Sequence, residues 1–249
     1  MYDFAWHQAH GNMTSASAEV VASILLRIFP IRSMLDVGCG DGRWLKAFSA
    51  GGVNEVQGVD GPWTDQSKLL IPQARFKIWN LEQELDLGRR YDFAMSAEVA
   101  EHVDRAHAPG FVENMCRHAD LILFGASIPF QGGYRHINED WQSYWAGLFK
   151  DRGYQSFDLV RSELWNNPDV HFWYKQNLII YVNKTRLDLI SLAEDAVREG
   201  DISQLPLDIV HPEHYRRIAS YSSVAFRPLM KQLPRHIINK ARAVVLRRI

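Results

Sequence analysis

The chain has 249 residues, of which 47% are hydrophobic and 23% are charged, and its formal net charge is -1 at pH 7. This composition is ordinary for a soluble globular enzyme and excludes a largely disordered chain. The longest apolar stretches, residues 20–28 and 121–128, are too short to cross a bilayer, and the acidic, aromatic N-terminus lacks the basic start of a secretory signal. We therefore expect a cytoplasmic protein in which Cys39 and Cys116 stay reduced.

Helices and strands alternate in the predicted secondary structure. A first helix is expected from about Ala18 to Ile28, because Ser15 or Ser17 can cap it and Pro30 ends it. The predicted strands are residues 33–37, 55–59, 75–79, 91–96, 121–126, 156–161 and 177–182, and the helices between them include 43–50 and 141–152. This alternation predicts an α/β fold with a doubly wound sheet. The expected organisation is a lead segment (1–17), a main domain (18–183) and a helical C-terminal extension (184–249).

The turn after the first strand is the most informative segment, with the sequence Leu-Asp-Val-Gly-Cys-Gly-Asp-Gly over residues 35–42. Three glycines at alternate positions let a ligand approach the backbone closely at the N-terminus of the following helix. The second strand then ends at Asp60, about 20 residues after the turn, where such folds place the acid that binds ribose hydroxyls. Together the two features predict a nucleotide-like ligand.

Residue 43 is an arginine, whereas a dinucleotide fingerprint of the G-x-G-x-x-G type requires glycine there. The turn instead resembles the first motif of the class I S-adenosylmethionine (SAM)-dependent methyltransferases. That resemblance implies SAM as the cofactor and a Rossmann-like, seven-stranded, mostly parallel sheet that ends in an antiparallel hairpin. It implies that Gly38 and Gly40 make room for the methionyl part and the ribose of SAM. It further implies that Asp36 contacts the methionyl end and that Asp60 binds the ribose diol.

Four more residues complete the predicted cofactor-binding set. Asn80 and Leu81 follow the third strand, where related enzymes place a polar side chain and a backbone amide against the adenine edge. The alternative is that Asn80 only shapes a turn. Gly61 directly follows Asp60, and Ser96 stands at the end of the fourth strand.

Two acids and a histidine, Glu98, Glu101 and His102, follow the fourth strand. If this segment is helical, they stand at i, i+3 and i+4 and share one face. With His136 from the loop after the fifth strand they form a four-ligand set for magnesium or another divalent metal. This motif resembles the E-x-x-E-H and distal histidine of small-RNA 2′-O-methyltransferases and quinone-biosynthesis O-methyltransferases, where these residues hold a divalent ion beside the acceptor hydroxyl. It also occurs in methyltransferases without a metal, so a structural cluster is the alternative.

Transfer of a methyl group to oxygen requires that the acceptor hydroxyl be aligned and lose its proton. His136 is the predicted general base, His102 is the second candidate, and Glu98 is the third member of the predicted catalytic set. Aromatic and polar side chains between His136 and Phe149 suit a polyhydroxylated ligand, although their spacing also fits the buried stripe of a helix.

Residues 34–182 resemble a bacterial subgroup of small-molecule and saccharide methyltransferases. The resemblance implies a SAM-dependent O-methyltransferase that acts on a hydroxylated small molecule or a saccharide, with or without the help of a metal. Two alternatives stay open. One is an N-methyltransferase in which the Glu/His cluster is structural, and the other is a non-catalytic module that binds the cofactor.

The C-terminal end is basic. Residues 214–249 contain nine lysine and arginine side chains and no acidic one. Apolar residues at helical spacing predict a final helix that can lie on an anionic membrane, dock a partner, form a homo-oligomer or pack back on the core. Nucleic acid is not an expected partner, because no binding motif is recognisable and the basic run is confined to one end.

Overall fold

Seven strands form one sheet within the described residues, which are 4–199 and 205–219 of the computed structural model, with the backbone alone described for 4–10. The strands are β1 (Ser33–Val37), β2 (Glu55–Asp60), β3 (Phe76–Ile78), β4 (Phe93–Ala97), β5 (Leu121–Gly125), β6 (Tyr154–Phe157) and β7 (Ile179–Asn183). Their order across the sheet is β3-β2-β1-β4-β5-β7-β6. β1 to β5 are parallel, and β7 is antiparallel to both β5 and β6. The α/β fold with a terminal antiparallel hairpin is therefore confirmed.

Helices cover both faces of this sheet. They are α1 (Phe4–Ile28), α2 (Arg43–Ala50), α3 (Ala108–His118), α4 (Gln142–Lys150), α5 (Arg161–Leu164), α6 (Phe172–Asn177) and α7 (Leu187–Glu199). A further helix, α8 (Pro212–Ala219), belongs to a separate compact unit. Residues of α1, α2 and α7 form one hydrophobic cluster with the sheet, and residues of α3 and α4 form a second. Successive side chains of β1 point to opposite faces of the sheet, which explains why there are two clusters. Met34 belongs to the first cluster, and Leu35 and Val37 belong to the second.

The first helix is longer than the sequence suggests, since it begins at Phe4 instead of Ala18. Ser17 does not cap it. The Ser17 hydroxyl lies inside the helix and donates to the carbonyl of Met13, four residues earlier, at 2.7 Å. Residues 4–17 of the expected lead segment are thus part of the same helix as the start of the main domain.

The main compact unit continues to His211, and a second unit starts at Pro212. Residues 205–211 belong to the main unit because the fully buried Arg161 holds them. Its guanidinium donates to the carbonyl oxygens of Pro206 and Leu207 at 2.9 and 2.8 Å and pairs with Asp158 at 2.9 Å. The sequence placed this boundary after residue 183, where the last strand ends.

No helix in the described parts of the chain is long and apolar enough to span a bilayer. The final helix that the sequence predicts, with apolar residues at Ile238, Ala241, Val245 and Ile249, lies outside the described residues.

The buried ion pair gives a first prediction. Replacing Arg161 with Met leaves the Asp158 carboxylate without its cation and removes the donors to residues 206 and 207, so Arg161→Met should lower the free energy of unfolding by about 3–5 kcal/mol in urea denaturation. The matched control is Arg27→Met, which breaks the exposed pair between Arg27 and Glu163. That change should cost less than about 1 kcal/mol. Similar small losses for both variants would contradict a structural role for residues 205–211.

Candidate active site

The glycine turn between β1 and α2 adopts a backbone that requires glycine. Gly38, Gly40 and Gly42 have φ of 86, 54 and 87°. A Cβ atom on Gly38 would lie 2.4 Å from the side chain of Val99, which follows β4, so the turn and the end of β4 are in close contact. At Gly40 no atom of the described chain lies within 4 Å of the corresponding position. The turn is therefore open to a ligand at Gly40 and closed at Gly38.

Asp60 ties the end of β2 to this turn. One carboxylate oxygen accepts from the Gly40 amide and the other from the Gly61 amide, each at 2.6 Å. Burial raises the pKa of Asp60 although these two hydrogen bonds oppose the shift. The side chains of Trp63 and Thr64 also hydrogen-bond to Asp60, so a ribose diol would compete with these two side chains while the two amides keep the carboxylate on the turn.

Asp36 lies on β1 and is 1% exposed. Its Oδ2 atom has no hydrogen-bond partner within the described residues. Burial, and then the charge of Asp60, raise the pKa of Asp36 well above its usual range. Because a buried acceptor without a donor costs free energy, this oxygen is a candidate contact for a ligand that brings one.

The other predicted cofactor residues make contacts within the protein. Asn80 accepts from the amide of Glu82 at 3.0 Å, which is the turn-forming alternative that its sequence position left open. Leu81 is buried in the second hydrophobic cluster. The fully buried Ser96 hydroxyl donates to the carbonyl of Val37 at 2.7 Å and so joins β4 to β1. A role of these three residues in cofactor binding stays a prediction.

The segment after β4 is not the helix that the spacing of its acids suggested. A short 3-10 turn covers only Ala100–His102, and Glu98 has a left-handed φ of 58°. The reason lies in contacts that come from elsewhere in the chain. The Glu98 amide donates to Gly125 on β5, and its carboxylate is held by three side chains from other segments.

Those three side chains use both oxygens of Glu98. Oε1 accepts from Asn177 at 2.8 Å, and Oε2 accepts from Gln131 at 2.6 Å and from Ser127 at 3.1 Å. Burial raises the pKa of Glu98 despite these bonds. None of these three donors is predicted from the sequence, because they come from separate segments. The one available signal for Gln131 and Asn177 was an amide side chain next to an apolar strand.

Glu101, His102 and His136 do converge. Each offers a ligand atom, and the three atoms lie within 4.8 Å of one another. The imidazole rings of His102 and His136 meet edge to face at 4.9 Å. Glu98 is not a member of this group, and its carboxylate instead accepts from Asn177, Gln131 and Ser127. Its place in the four-ligand set stays a prediction.

Glu101 is the buried member of that group. Its Oε1 atom accepts from Ser127 at 2.9 Å and lies 4.0 Å from His136 Nε2, whereas Oε2 has no partner in the parts of the chain described. Burial, and then the charge of Glu98, raise the pKa of Glu101 well above its usual range. Burial and the neighbouring His136 lower the pKa of His102. The site therefore favours the neutral form of His102, and a nearby cation would stabilise the ionised form of Glu101.

A loop between β5 and α4 supplies His136 and is tied to the segment after β4. The amides of Ile137 and Asn138 both donate to the Glu101 carbonyl, at 2.9 and 3.1 Å. The side chains of Phe130 and Tyr134 on this loop are 80% and 75% exposed. All of these groups lie at the carboxyl ends of parallel strands, which is where open α/β sheets bind their ligands.

A sequence profile of the methyltransferase domain family matches residues 6–159. The chain belongs to this methyltransferase family. With the glycine turn, the acid at the end of β2 and the seven-stranded sheet, it is a class I SAM-dependent methyltransferase. A search of curated proteins finds no significant match.

Solved methyltransferase structures share the fold at low sequence identity. An O-methyltransferase family protein from Burkholderia thailandensis is 16% identical with a TM-score of 0.55, covering 72% of this chain and 58% of that one. A sugar N-methyltransferase from Streptoalloteichus is 17% identical with a TM-score of 0.53, covering 68% and 87%. A magnesium protoporphyrin IX methyltransferase from Synechocystis, with bound SAH, is 13% identical with a TM-score of 0.52, covering 74% and 89%.

The second prediction concerns Asp60. If its carboxylate accepts from the ribose diol, Asp60→Ala should weaken SAM binding by at least about 1.5 kcal/mol, or roughly tenfold, in calorimetry. The matched control is Asp65→Ala, since Asp65 is exposed, caps a short turn through Ser67 and otherwise pairs with the exposed Lys68. Thermal unfolding should show that both variants are folded. Equal SAM affinity in Asp60→Ala and wild type would exclude this carboxylate from the cofactor site.

Proposed function

We propose that this methyltransferase transfers the methyl group of SAM to a hydroxyl of a small molecule or a saccharide. The observation that carries the proposal is the convergence of Glu101, His102 and His136 at the end of β4, the strand whose following segment packs on the glycine turn through Val99 and Gly38. Groups that can take up a proton thus stand beside the expected position of the methyl donor. Transfer to oxygen needs such groups, whereas transfer to an amine needs less proton removal.

In the proposed reaction the acceptor oxygen attacks the methyl carbon in line with the departing sulfur. The carbon–sulfur bond breaks, the carbon–oxygen bond forms, and the sulfonium becomes a neutral thioether. The acceptor proton passes to an imidazole, for which His136 is the first candidate and His102 the second. An imidazole can accept this proton only in its neutral form, in which one of its two nitrogens carries a proton and the other has a free lone pair.

The three-residue group also fits a divalent metal. One carboxylate and two imidazoles favour manganese, iron, cobalt or zinc, while magnesium prefers oxygen ligands and gains less from a set without Glu98. The unpartnered Oε2 atom of Glu101 is a suitable oxygen ligand. A metal bound there would lower the pKa of a hydroxyl that it contacts. Glu101, His102 and His136 would hold the metal and thereby position the acceptor hydroxyl.

A saccharide acceptor is supported by the exposed aromatic side chains of the β5–α4 loop. Phe130 and Tyr134 precede His136 on the same loop, and aromatic rings pack against the apolar faces of sugars while polar groups bind their hydroxyls. Fold relatives include the sugar N-methyltransferase and the O-methyltransferase family protein, so nitrogen transfer is the outcome against which the proposal is tested.

The third prediction tests the base. A panel of saccharides and metabolites is screened for formation of S-adenosylhomocysteine (SAH), and the best acceptor is used with His136→Ala. We expect kcat to fall about a hundredfold or more with unchanged SAM affinity, because a general base contributes about that factor. His107→Ala, at an exposed histidine before α3, is the control. Full activity of His136→Ala would favour nitrogen transfer and overturn the proposed mechanism.

The fourth prediction separates three ligands from four. Titration of the chain with Mn²⁺ should show a site that Glu101→Gln and His102→Ala each weaken by tenfold or more, on the order of the effect of losing one ligand from a metal site. Glu98→Gln should retain binding, since both Glu98 oxygens contact protein donors. If Glu98→Gln loses the metal as completely as Glu101→Gln, the four-ligand set is restored. If the unaltered chain binds no Mn²⁺, the metal part of the proposal fails.

A further inference from the structure

The β5–α4 loop has an unusual backbone near His136. Phe130 and Arg135 have φ of 69 and 60°, and Gly132 has φ of 68°. Residues with a Cβ atom rarely adopt such angles, and they do so where surrounding contacts enforce them. The Phe130 side chain is 80% exposed. Its backbone amide takes part in a contact that restrains the loop.

The carboxylate of Glu139 supplies that contact. Its Oε2 atom accepts from the Phe130 amide at 2.9 Å, and its Oε1 atom accepts from the Gly132 amide at 2.6 Å. Oε1 also lies 3.0 Å from Nδ1 of His136. The Glu139 side chain therefore binds two of the three loop positions with a left-handed φ, and it also contacts the imidazole of His136.

This contact favours one of the two neutral tautomers of His136. An ionised carboxylate only accepts hydrogen bonds, so the neutral ring of His136 donates to Glu139 from Nδ1 and keeps its lone pair on Nε2. Nε2 is the atom that faces Glu101, at 4.0 Å from Oε1. Gly133 permits this orientation, because a Cβ atom at that position would lie 2.0 Å from Nε2.

Other contacts hold the loop without Glu139. The Ile137 and Asn138 amides donate to the Glu101 carbonyl, and the Asp140 amide donates to the Ser127 carbonyl at 3.2 Å. The loop should therefore remain attached when Glu139 is changed. Loss of the Glu139 carboxylate should then affect only the His136 imidazole and the backbone at Phe130 and Gly132.

We propose that Glu139 is the positioning residue of this site. It fixes the Nδ1–H tautomer of His136 and thereby leaves Nε2 free to take a proton from the acceptor or to bind a metal. The consequence for catalysis rests on the proposed function of His136. The tautomer does not, since the contact between Glu139 and His136 involves only residues of this chain.

The experiment is heteronuclear NMR of the imidazole nitrogens in the full-length chain, under alkaline conditions that keep imidazoles neutral. The His136 signals are assigned as those lost in His136→Ala. We expect the Nδ1–H form in the wild type and a shift toward the Nε2–H form in Glu139→Ala, because Glu101 is then the nearest carboxylate acceptor. Glu139→Asp should restore Nδ1–H at least in part, and Glu194→Ala, an exposed glutamate on α7, should change nothing.

A second readout uses Mn²⁺ and SAH as probes. Glu139→Ala should weaken Mn²⁺ binding about 10–100-fold, the usual effect of removing the partner that orients a histidine ligand, while SAH affinity stays within about twofold. Finding Nε2–H in the wild type, or the same tautomer in wild type and Glu139→Ala, would overturn the proposal without needing activity. Loss of SAH affinity in parallel with Mn²⁺ affinity would also overturn it, because it would show general damage. Inactivity of His136 in catalysis leaves the tautomer result intact, so the two failures are distinguishable.

Discussion

Four sheltered carboxylates at one edge of the sheet are the constraint on which the site depends. They are Asp36, Asp60, Glu98 and Glu101, and within the described residues none of them pairs with a lysine or arginine. Backbone amides and the side chains of Trp63 and Thr64 bind Asp60, while neutral side chains bind Glu98 and Glu101. Charges sheltered from water with only neutral partners are costly, and a cation offsets that cost. A sulfonium or ammonium group, or a divalent metal, is therefore the kind of ligand that this edge favours.

The loss of charge during methyl transfer then has a direct consequence. SAM carries a sulfonium and SAH does not, so the acidic edge attracts the donor more strongly than the product. The hydrogen-bond donors that surround the carboxylates are neutral and stay neutral during the reaction. The same carboxylates therefore favour binding of SAM and release of SAH.

Much of the fold follows from local sequence patterns. β1 and α2 occur at the predicted residues, because the apolar run, the glycine turn and the following helix are all encoded locally. The segment after β4 does not follow its local pattern. The spacing of Glu98 and Glu101 suits a helix, but Ser127, Gln131 and Asn177 bind Glu98 and give it a left-handed backbone. Only the folded chain brings these donors together.

The site also depends on residues beyond the matched methyltransferase domain, which ends at residue 159. Gln176 donates to the side-chain oxygens of Gln131 and Asn177, the two amides that hold Glu98. It also accepts from the amide of His211 at 2.9 Å. A continuous hydrogen-bond network therefore joins residue 211 to Glu98. Sequence reasoning placed the domain boundary at 183 because the last strand ends there, and this network has no local signature.

The most direct measurement is a crystal structure of the full chain with SAH and Mn²⁺, in which anomalous scattering locates the metal. The central claim is that the Glu101–His102–His136 group faces the methyl donor. The predicted result places the SAH sulfur toward this group and the ribose diol on Asp60. A sulfur atom directed away from the group, with His136 out of reach of any acceptor aligned with it, would contradict the claim.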